Sequence, residues 1–462
     1  MSIYKSSDIR GVAGNELTRE HYRRWGAALG EQLDAGAKFV VGGDVRESTP
    51  SFLLALADGL CDAGLDVVLV GSLPTPVIHH ARRRLAAAGC AIVTASHSPP
   101  EFNGLKWMIG DHPPTEKEVR AMKRVAEGKS PKLNGRARTS PRSVDVTFDY
   151  VAWLQERWMD APIVRRSIVV DPMHGAWACR ARRYLQAIFP HCVFSAIHDA
   201  PDASFGGRTP DCSSSDALAD LGEAVYQQRA LLGIAFDGDG DCVAFVDDEG
   251  MPLSPDEATW LLLRSFEDQL EGKPFVCDVR FSQSVPQAAR NLGAEPLLER
   301  SGPAFIRRRM LKSGAPFGAE ASGHYFFGDL GGGDDALFAA CAMIAHLAAS
   351  GKPLSQLRRK TPKVCMTPDL PVRVKARCRR DVVRMVRDRW AKYPTLELDG
   401  VRIEFPNGWA LVRNSVAEPT ITFRFEGRDW NGLTELVSSF CDSLPEIGDA
   451  LWASYEQAMG GD

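Results

Sequence analysis

Apolar and polar positions alternate in blocks along most of the chain, with short β-branched runs giving way to stretches where apolar residues recur at helical spacing. Tyr22, Trp25, Leu29 and Leu33 define one helical face that stops at Gly36, and Phe39-Val40-Val41 then predicts a strand ending at Gly42-Gly43-Asp44. A second helix is predicted over 52–60, a strand over 65–70, a helix over 77–85 and another strand at Ala91-Ile92-Val93. Strands alternating with helices predict a largely parallel sheet covered on both faces, and such sheets place ligands at the carboxyl ends of their strands.

The same theme returns twice. Val169-Val170-Asp171 and Phe275-Val276-Cys277-Asp278 are apolar runs closed by an aspartate and followed by a helical stretch, as Val40-Val41-Gly42-Gly43-Asp44 is. The fold class is therefore α/β: three related α/β domains with mixed, largely parallel sheets. Asp44, Asp171 and Asp278 are expected to fix loops at strand ends. The C-terminal part changes character. Leu396-Glu397-Leu398 and the runs 401–405, 409–413 and 420–425 alternate as short strands, flanked by helical stretches over 382–390 and 433–440. This pattern predicts a small C-terminal α+β domain with an antiparallel sheet. Polar, proline-containing stretches at 130–142, 247–255 and 360–371 place the boundaries, giving domains 1–141, 142–247, 248–362 and 363–462.

Composition narrows the class. A chain of 462 residues exceeds one ordinary core, and 44% hydrophobic with 25% charged residues describes a soluble globular protein. The formal net charge is −4, and the basic clusters Arg82-Arg83-Arg84 and Arg307-Arg308-Arg309 are expected to be solvated helix faces. No nucleic-acid footprint and no bilayer-spanning apolar run is found, so a cytoplasmic location without membrane or nucleic-acid partners is expected. Eleven cysteines without a Cys-x-x-Cys pair fit reduced thiols rather than a disulfide framework.

Two stretches carry chemistry. Thr94-Ala95-Ser96-His97-Ser98-Pro99-Pro100 follows a buried strand, and the prolines and Gly104 force the chain to turn before Lys106. Ser96 is expected as an exposed nucleophilic hydroxyl sharing a surface with His97 and Lys106. Asp237-Gly238-Asp239-Gly240-Asp241 lies between the runs 233–236 and 243–246. Alternating carboxylates on a glycine-rich loop can turn onto one hard cation, and an all-oxygen set suits Mg²⁺. An EF-hand counted from Asp237 would need glycine at its sixth position and glutamate at its twelfth, where this chain has Cys242 and Asp248. A serine beside a Mg²⁺ site points to phosphoryl transfer. A serine hydrolase fits poorly, because adjacent Ser96 and His97 are badly placed for a triad and no Gly-x-Ser-x-Gly elbow is present.

Taken together, Ser7-Asp8-Ile9-Arg10-Gly11, Thr94-Ala95-Ser96-His97, the aspartate loop, Gly318-Ala319-Glu320-Ala321-Ser322-Gly323-His324 and Arg413-Asn414-Ser415 resemble the α-D-phosphohexomutase family over nearly the whole length. The resemblance implies four domains around one large cleft and a phosphate carried on Ser96. It implies one Mg²⁺ per chain on Ser96, Asp237, Asp239 and Asp241, with a hexose 1,6-bisphosphate as activator. It implies hexose phosphates as the partners of a monomer or homodimer, interconverted between 1- and 6-phosphates of glucose or mannose. Lys106 and His324 would do acid and base work, with His97 and Arg10 beside the reacting group. Glu320 and Ser322 would hold sugar hydroxyls, and Arg280, Arg413 and Ser415 would hold phosphate. The chain departs from the family pattern at Ser7, Ser98, Cys242, Pro303 and Val416-Ala417. These departures bear on phosphate binding and substrate identity. They leave open a phosphoglucosamine-type mutase and a weakly catalytic homologue that binds sugar phosphates.

Overall fold

The computed structural model describes residues 2–128, 137–163, 165–374, 379–414 and 420–460. Its strands form four sheets in succession along the chain. The first contains β1 (Ile9–Val12), β2 (Lys38–Gly43), β3 (Asp66–Ser72), β4 (Gly89–Val93), β5 (Phe102–Ile109) and β6 (Arg142–Ser143), in the order β1-β5-β4-β2-β3-β6. The β2, β3, β4 and β6 strands pair in parallel, while β5 runs antiparallel to both β4 and β1. Helices Thr49–Asp62 and Thr75–Arg84 supply the crossovers that parallel neighbours require. The short β1, whose Ile9 and Gly11 alone are buried, has too little periodicity to be read from the sequence.

The second sheet contains β7 (Ser167–Asp171), β8 (Val193–Ala196), β9 (Leu232–Phe236) and β10 (Val243–Val246), ordered β10-β9-β7-β8. The third contains β11 (Pro274–Asp278), β12 (Glu295–Glu299), β13 (Phe317–Ala319), β14 (Tyr325–Phe327) and β15 (Gly333–Asp334), ordered β12-β11-β13-β14-β15. In each, parallel central strands are completed by an antiparallel edge. This matches the mixed, largely parallel sheets expected. The apolar residues of these sheets form one continuous core in which Tyr150, Trp177 and Phe338 link elements distant in sequence. The first sheet's other face is covered separately by Tyr22, Trp25, Phe52 and Leu56.

The last sheet is antiparallel and contains β16 (Cys365–Met366), β17 (Leu370–Arg373), β18 (Thr395–Leu396), β19 (Val401–Phe405), β20 (Gly408–Asn414) and β21 (Thr420–Gly427). It has its own core around Phe423, Phe425 and Phe440. The closing helix Gly448–Met459, unmarked in the sequence reading, buries Leu451 and Tyr455, one turn apart. This unit is pinned to the third sheet's loop 279–283. Arg402, 1% exposed, donates to the carbonyls of Val279 (2.6 Å) and Phe281 (3.0 Å) and lies over the Trp409 ring.

One expectation is corrected here. The arginine triplets are not wholly solvated faces: Arg82 pairs with Asp111 and is buried, as is Arg307, while their neighbours reach solvent. Helical spacing turns only part of a triplet outward. Among the described cysteines no disulfide forms and most are buried. Among the described residues, no helix is long and apolar enough to cross a membrane.

Candidate active site

Three loops leave the carboxyl ends of parallel strands in three different sheets: residues 94–100 after β4, 237–241 after β9 and 320–324 after β13. An aspartate at the end of each sheet's central strand holds the neighbouring turns. Asp44 accepts hydrogen bonds from Thr49 (2.7 Å), Thr94 (2.8 Å) and Arg46 (2.9 Å), and Asp278 accepts from Arg280 and Ser301 at 2.8 Å each. The Arg46 guanidinium, fully buried, donates onward to the carbonyls of Ser96 (2.8 Å), Ser98 (2.6 Å), Pro99 (2.5 Å) and Phe102 (3.0 Å). One cation thus clamps the whole serine loop.

Ser96 is held at φ 53°, in the left-handed region that costs a non-glycine residue about 1 kcal/mol or more. Its side chain is not exposed, as the sequence reading expected, but 1% accessible. The cause is the aspartate loop, which closes over it: Ser96 Oγ donates to Asp237 Oδ2 at 2.8 Å, with His97 Nδ1 at 3.4 Å. Gly238 permits this approach, since a Cβ there would meet the Ser96 carbonyl oxygen at 2.7 Å.

The three aspartates are buried, and one carboxylate oxygen of each lies within 4.8 Å of the others. Lys106, on β5, bridges two of them, donating to Asp239 at 2.8 Å and Asp241 at 2.6 Å. Thr75 donates to the same Asp239 oxygen at 2.9 Å, while Asp239 Oδ1 is buried without a partner. Burial pushes the Asp237 carboxyl well up, and its two neighbouring carboxylates push it further. Burial and then Asp239 raise Asp241 to about 6. For Asp239 the burial penalty is outweighed by Lys106 and Thr75, which hold it well below the usual carboxylate range. For Lys106 it is outweighed by Asp239 and Asp241, so the ammonium keeps its proton firmly. A buried set of like charges with one bridging ammonium and one unpaired oxygen has the donor chemistry to hold a divalent cation.

His324 approaches from the third sheet. Its Nδ1 lies 2.8 Å from Asp334 and 3.8 Å from Asp241. These carboxylates, Asp241 foremost, outweigh burial and raise the imidazole to about 10. His97 goes the other way, to about 4, through burial and then the charge of Arg10. Arg10 pairs with Asp8 at 2.8 Å, and its Nη1 lies 3.5 Å from the Ala95 carbonyl oxygen. Glu320 is buried against Arg280 at 3.3 Å, which is itself anchored on Asp278. Glu320 Oε2 and Ser322 Oγ are screened from solvent without hydrogen-bond partners.

The structure therefore gathers Ser96, His97, Lys106, Asp237, Asp239, Asp241, His324 and Arg10 at one point. Glu320, Ser322 and Arg280 form an adjoining cluster, joined through the Glu320 N–H donation to the His324 carbonyl at 2.9 Å. Arg413, on β20, pairs with Asp399 at 2.8 Å and lies 3.5 Å from Asp369, whose charge also acts on Arg280. Ser415, with Val416 and Ala417, lies outside the described residues. Arg46, Thr75 and Asp334 were missed from the sequence. The Asp44-x-Arg46 spacing, which Asp278-x-Arg280 repeats, was the available signal for the first.

Comparisons place this geometry. Residues 1–129, 150–250 and 254–365 match phosphoglucomutase/phosphomannomutase alpha/beta/alpha domains I, II and III. The chain belongs to this family, whose wider group is the α-D-phosphohexomutases. It is 30% identical to a phosphomannomutase/phosphoglucomutase of Pseudomonas aeruginosa, covering 97% of each chain. It is 32% identical to a probable phosphoglucosamine mutase of Methanopyrus kandleri, covering 95% of this chain and 97% of that one. A crystal structure of a phosphoglucomutase/phosphomannomutase family protein from Burkholderia thailandensis superposes with a TM-score of 0.86 at 29% identity, over 96% of each chain.

Proposed function

We propose that this protein is a phosphohexomutase that interconverts hexose 1-phosphate and hexose 6-phosphate, of glucose and mannose, through a phosphate carried on Ser96. The observation that carries the reading is Ser96 Oγ at 2.8 Å from Asp237 inside a buried set of three carboxylates bridged by Lys106. The domain limits 1–141, 142–247, 248–362 and 363–462 and a cytoplasmic location belong to the same proposal.

Mg²⁺ fits the donor set. Asp237, Asp239, Asp241 and the oxygen on Ser96 would hold it, and bound there it supplies charge neutralisation on the transferring phosphoryl group. A dianionic phosphate placed among these carboxylates otherwise meets the charges of Lys106, Arg10 and His324. Lys106 bridges two carboxylates here. Lys106 would exchange a proton with a sugar hydroxyl brought to the cluster, releasing the ammonium proton to solvent before its amine takes the hydroxyl's. The hydroxyl oxygen then bonds to phosphorus as the bond from phosphorus to Ser96 Oγ breaks, giving a hexose 1,6-bisphosphate. In the return half-reaction Ser96 Oγ takes the other phosphoryl group, and the proton is given back to the sugar oxygen, with His324 as a second protonated donor. Glu320 and Ser322 present unpaired oxygens for sugar hydroxyls, and Arg280 lies beside them for phosphate. Arg413 and Ser415 are proposed for the phosphate that does not react.

Incubation with glucose 1-phosphate, a hexose 1,6-bisphosphate primer and Mg²⁺ tests the reading. Glucose 6-phosphate without release of inorganic phosphate is expected. Binding of sugar phosphate with no turnover would instead identify the weakly catalytic homologue. Mannose and glucose phosphates should both turn over, because Glu320 and Ser322 suit hydroxyls away from C2. A thousandfold preference in kcat/KM, equivalent to about 4 kcal/mol, would show that another residue reads C2.

Asp239→Asn should weaken Mg²⁺ binding about tenfold or more, roughly 1.4 kcal/mol, since it removes a charge from a hard-ligand set and a partner from Lys106. Calorimetric titration reads this directly, and unchanged affinity would move the metal elsewhere.

A further inference from the structure

Beside the three aspartates lies a second donor set of different character. Cys242 follows Asp241 directly, and its Sγ is 3.0 Å from His324 Nε2 and 3.8 Å from Asp241 Oδ1. Asp241, Cys242 and His324 are all buried, and one donor atom of each lies within 4.8 Å of the others. The far nitrogen of the imidazole, Nδ1, is hydrogen-bonded to Asp334 at 2.8 Å. That is the arrangement of a metal-ligating histidine, whose second ring nitrogen is oriented by a carboxylate. A thiol, an imidazole and one carboxylate are a poor set for Mg²⁺ and a good one for a softer ion, which takes N and S donors with one position left for water.

We propose that Asp241, Cys242 and His324 form a site for a soft divalent cation, Zn²⁺ or Cd²⁺, adjoining the hard-cation site and sharing Asp241 with it. On binding, the ion displaces the thiol proton of Cys242. Coordination forms bonds to Sγ and Nε2, and the protons on both atoms leave to solvent. The Nδ1 proton stays on the hydrogen bond to Asp334. Thiolate and Asp241 together neutralise the ion, which makes the buried site electrically balanced when filled. Lys106, 19% exposed at its side chain and bonded to Asp241, marks the side from which solvent reaches the cluster.

Filling this site removes His324 Nε2 from proton transfer. On the function proposed above, zinc therefore inhibits, and because the two sites share Asp241, added Mg²⁺ relieves the inhibition only in part. The binding itself requires no catalysis, so it is measured in Ser96→Ala protein as well as in the unaltered chain. A failure of either proposal is thus distinguishable from a failure of the other.

Cadmium is titrated into the full chain under saturating Mg²⁺, followed by the ultraviolet thiolate-to-cadmium charge-transfer band, with zinc titrated in parallel by calorimetry. One equivalent with a thiolate band is expected. Cys242→Ser, which keeps size and removes the soft donor, should lose the band and at least tenfold in zinc affinity. His324→Gln should lose similar affinity while keeping the band. Three results would overturn the site: no band at one equivalent, a Cys242→Ser protein that binds zinc as tightly as the parent, or zinc binding erased by Mg²⁺, which would place the ion on the three aspartates.

Discussion

Ser96→Ala protein should lose at least a thousandfold in mutase activity, about 4 kcal/mol of barrier, and should carry no phosphate at this loop. Two hydroxyls touch the aspartate cluster among the described side chains: Ser96 Oγ meets Asp237, while Thr75 Oγ1 is tied to Asp239, and His97 Nδ1, 3.4 Å from Ser96 Oγ, supplies no hydroxyl in its place. The change is not silent for the fold, because Ser96 is buried and bonds to Asp237. Losing that one hydrogen bond should cost about 0.5–1.5 kcal/mol, too little to unfold a domain. It also removes a donor from a carboxylate already pushed up by its surroundings. Intact-mass analysis and phosphopeptide mapping measure the phosphate, and a coupled assay measures the rate. A fully active variant, or phosphate found only at another residue, would overturn the assignment of the nucleophile.

Why Ser96 and the aspartates could be read from the chain at all is a matter of topology. Both stretches follow short, wholly apolar runs, Gly89–Val93 and Leu232–Phe236, and such runs become central parallel strands whose carboxyl ends face ligands. Glycines at positions 238 and 240 then mark a loop that must pass close to other backbone. Burial was not legible. A loop serine between polar residues reads as exposed, and only the packing of the second sheet's loop on the first sheet's loop hides it. The arginine triplets failed for the same reason, since Arg82 and Arg307 are buried by partners far away in sequence. Short elements were lost for lack of periods: β1 has four residues and β16 two. Thr75 acts across domains, through Asp239, and Asp334 acts through His324 across a turn of the third sheet whose closure the local pattern does not record.

Arg46 is where that missing information has the largest consequence for stability. Its guanidinium and the Asp44 carboxylate are both 0% exposed, and its donors satisfy three backbone carbonyls of the loop that carries Ser96 and a fourth at the start of β5. A buried pair contributes little over a well-packed apolar substitute, but breaking it from one side leaves a buried charge and orphaned carbonyls. Arg46→Met keeps the stem and deletes the fork, so it should destabilise the first domain by about 3–5 kcal/mol. For a unit of this size that corresponds to a melting transition lowered by about 10 °C or more. Arg46→Lys keeps the charge but presents a single ammonium, which cannot reach Asp44 and four diverging carbonyls together. It should recover part of the stability while leaving the serine loop loosely held, so kcat falls about tenfold with KM for the sugar phosphate little changed. Thermal melts of both variants, read with the kcat and KM of Arg46→Lys, check the argument. If Arg46→Met melts with the parent protein, the loop carbonyls find other donors, and the left-handed turn at Ser96 is held by the aspartate loop alone.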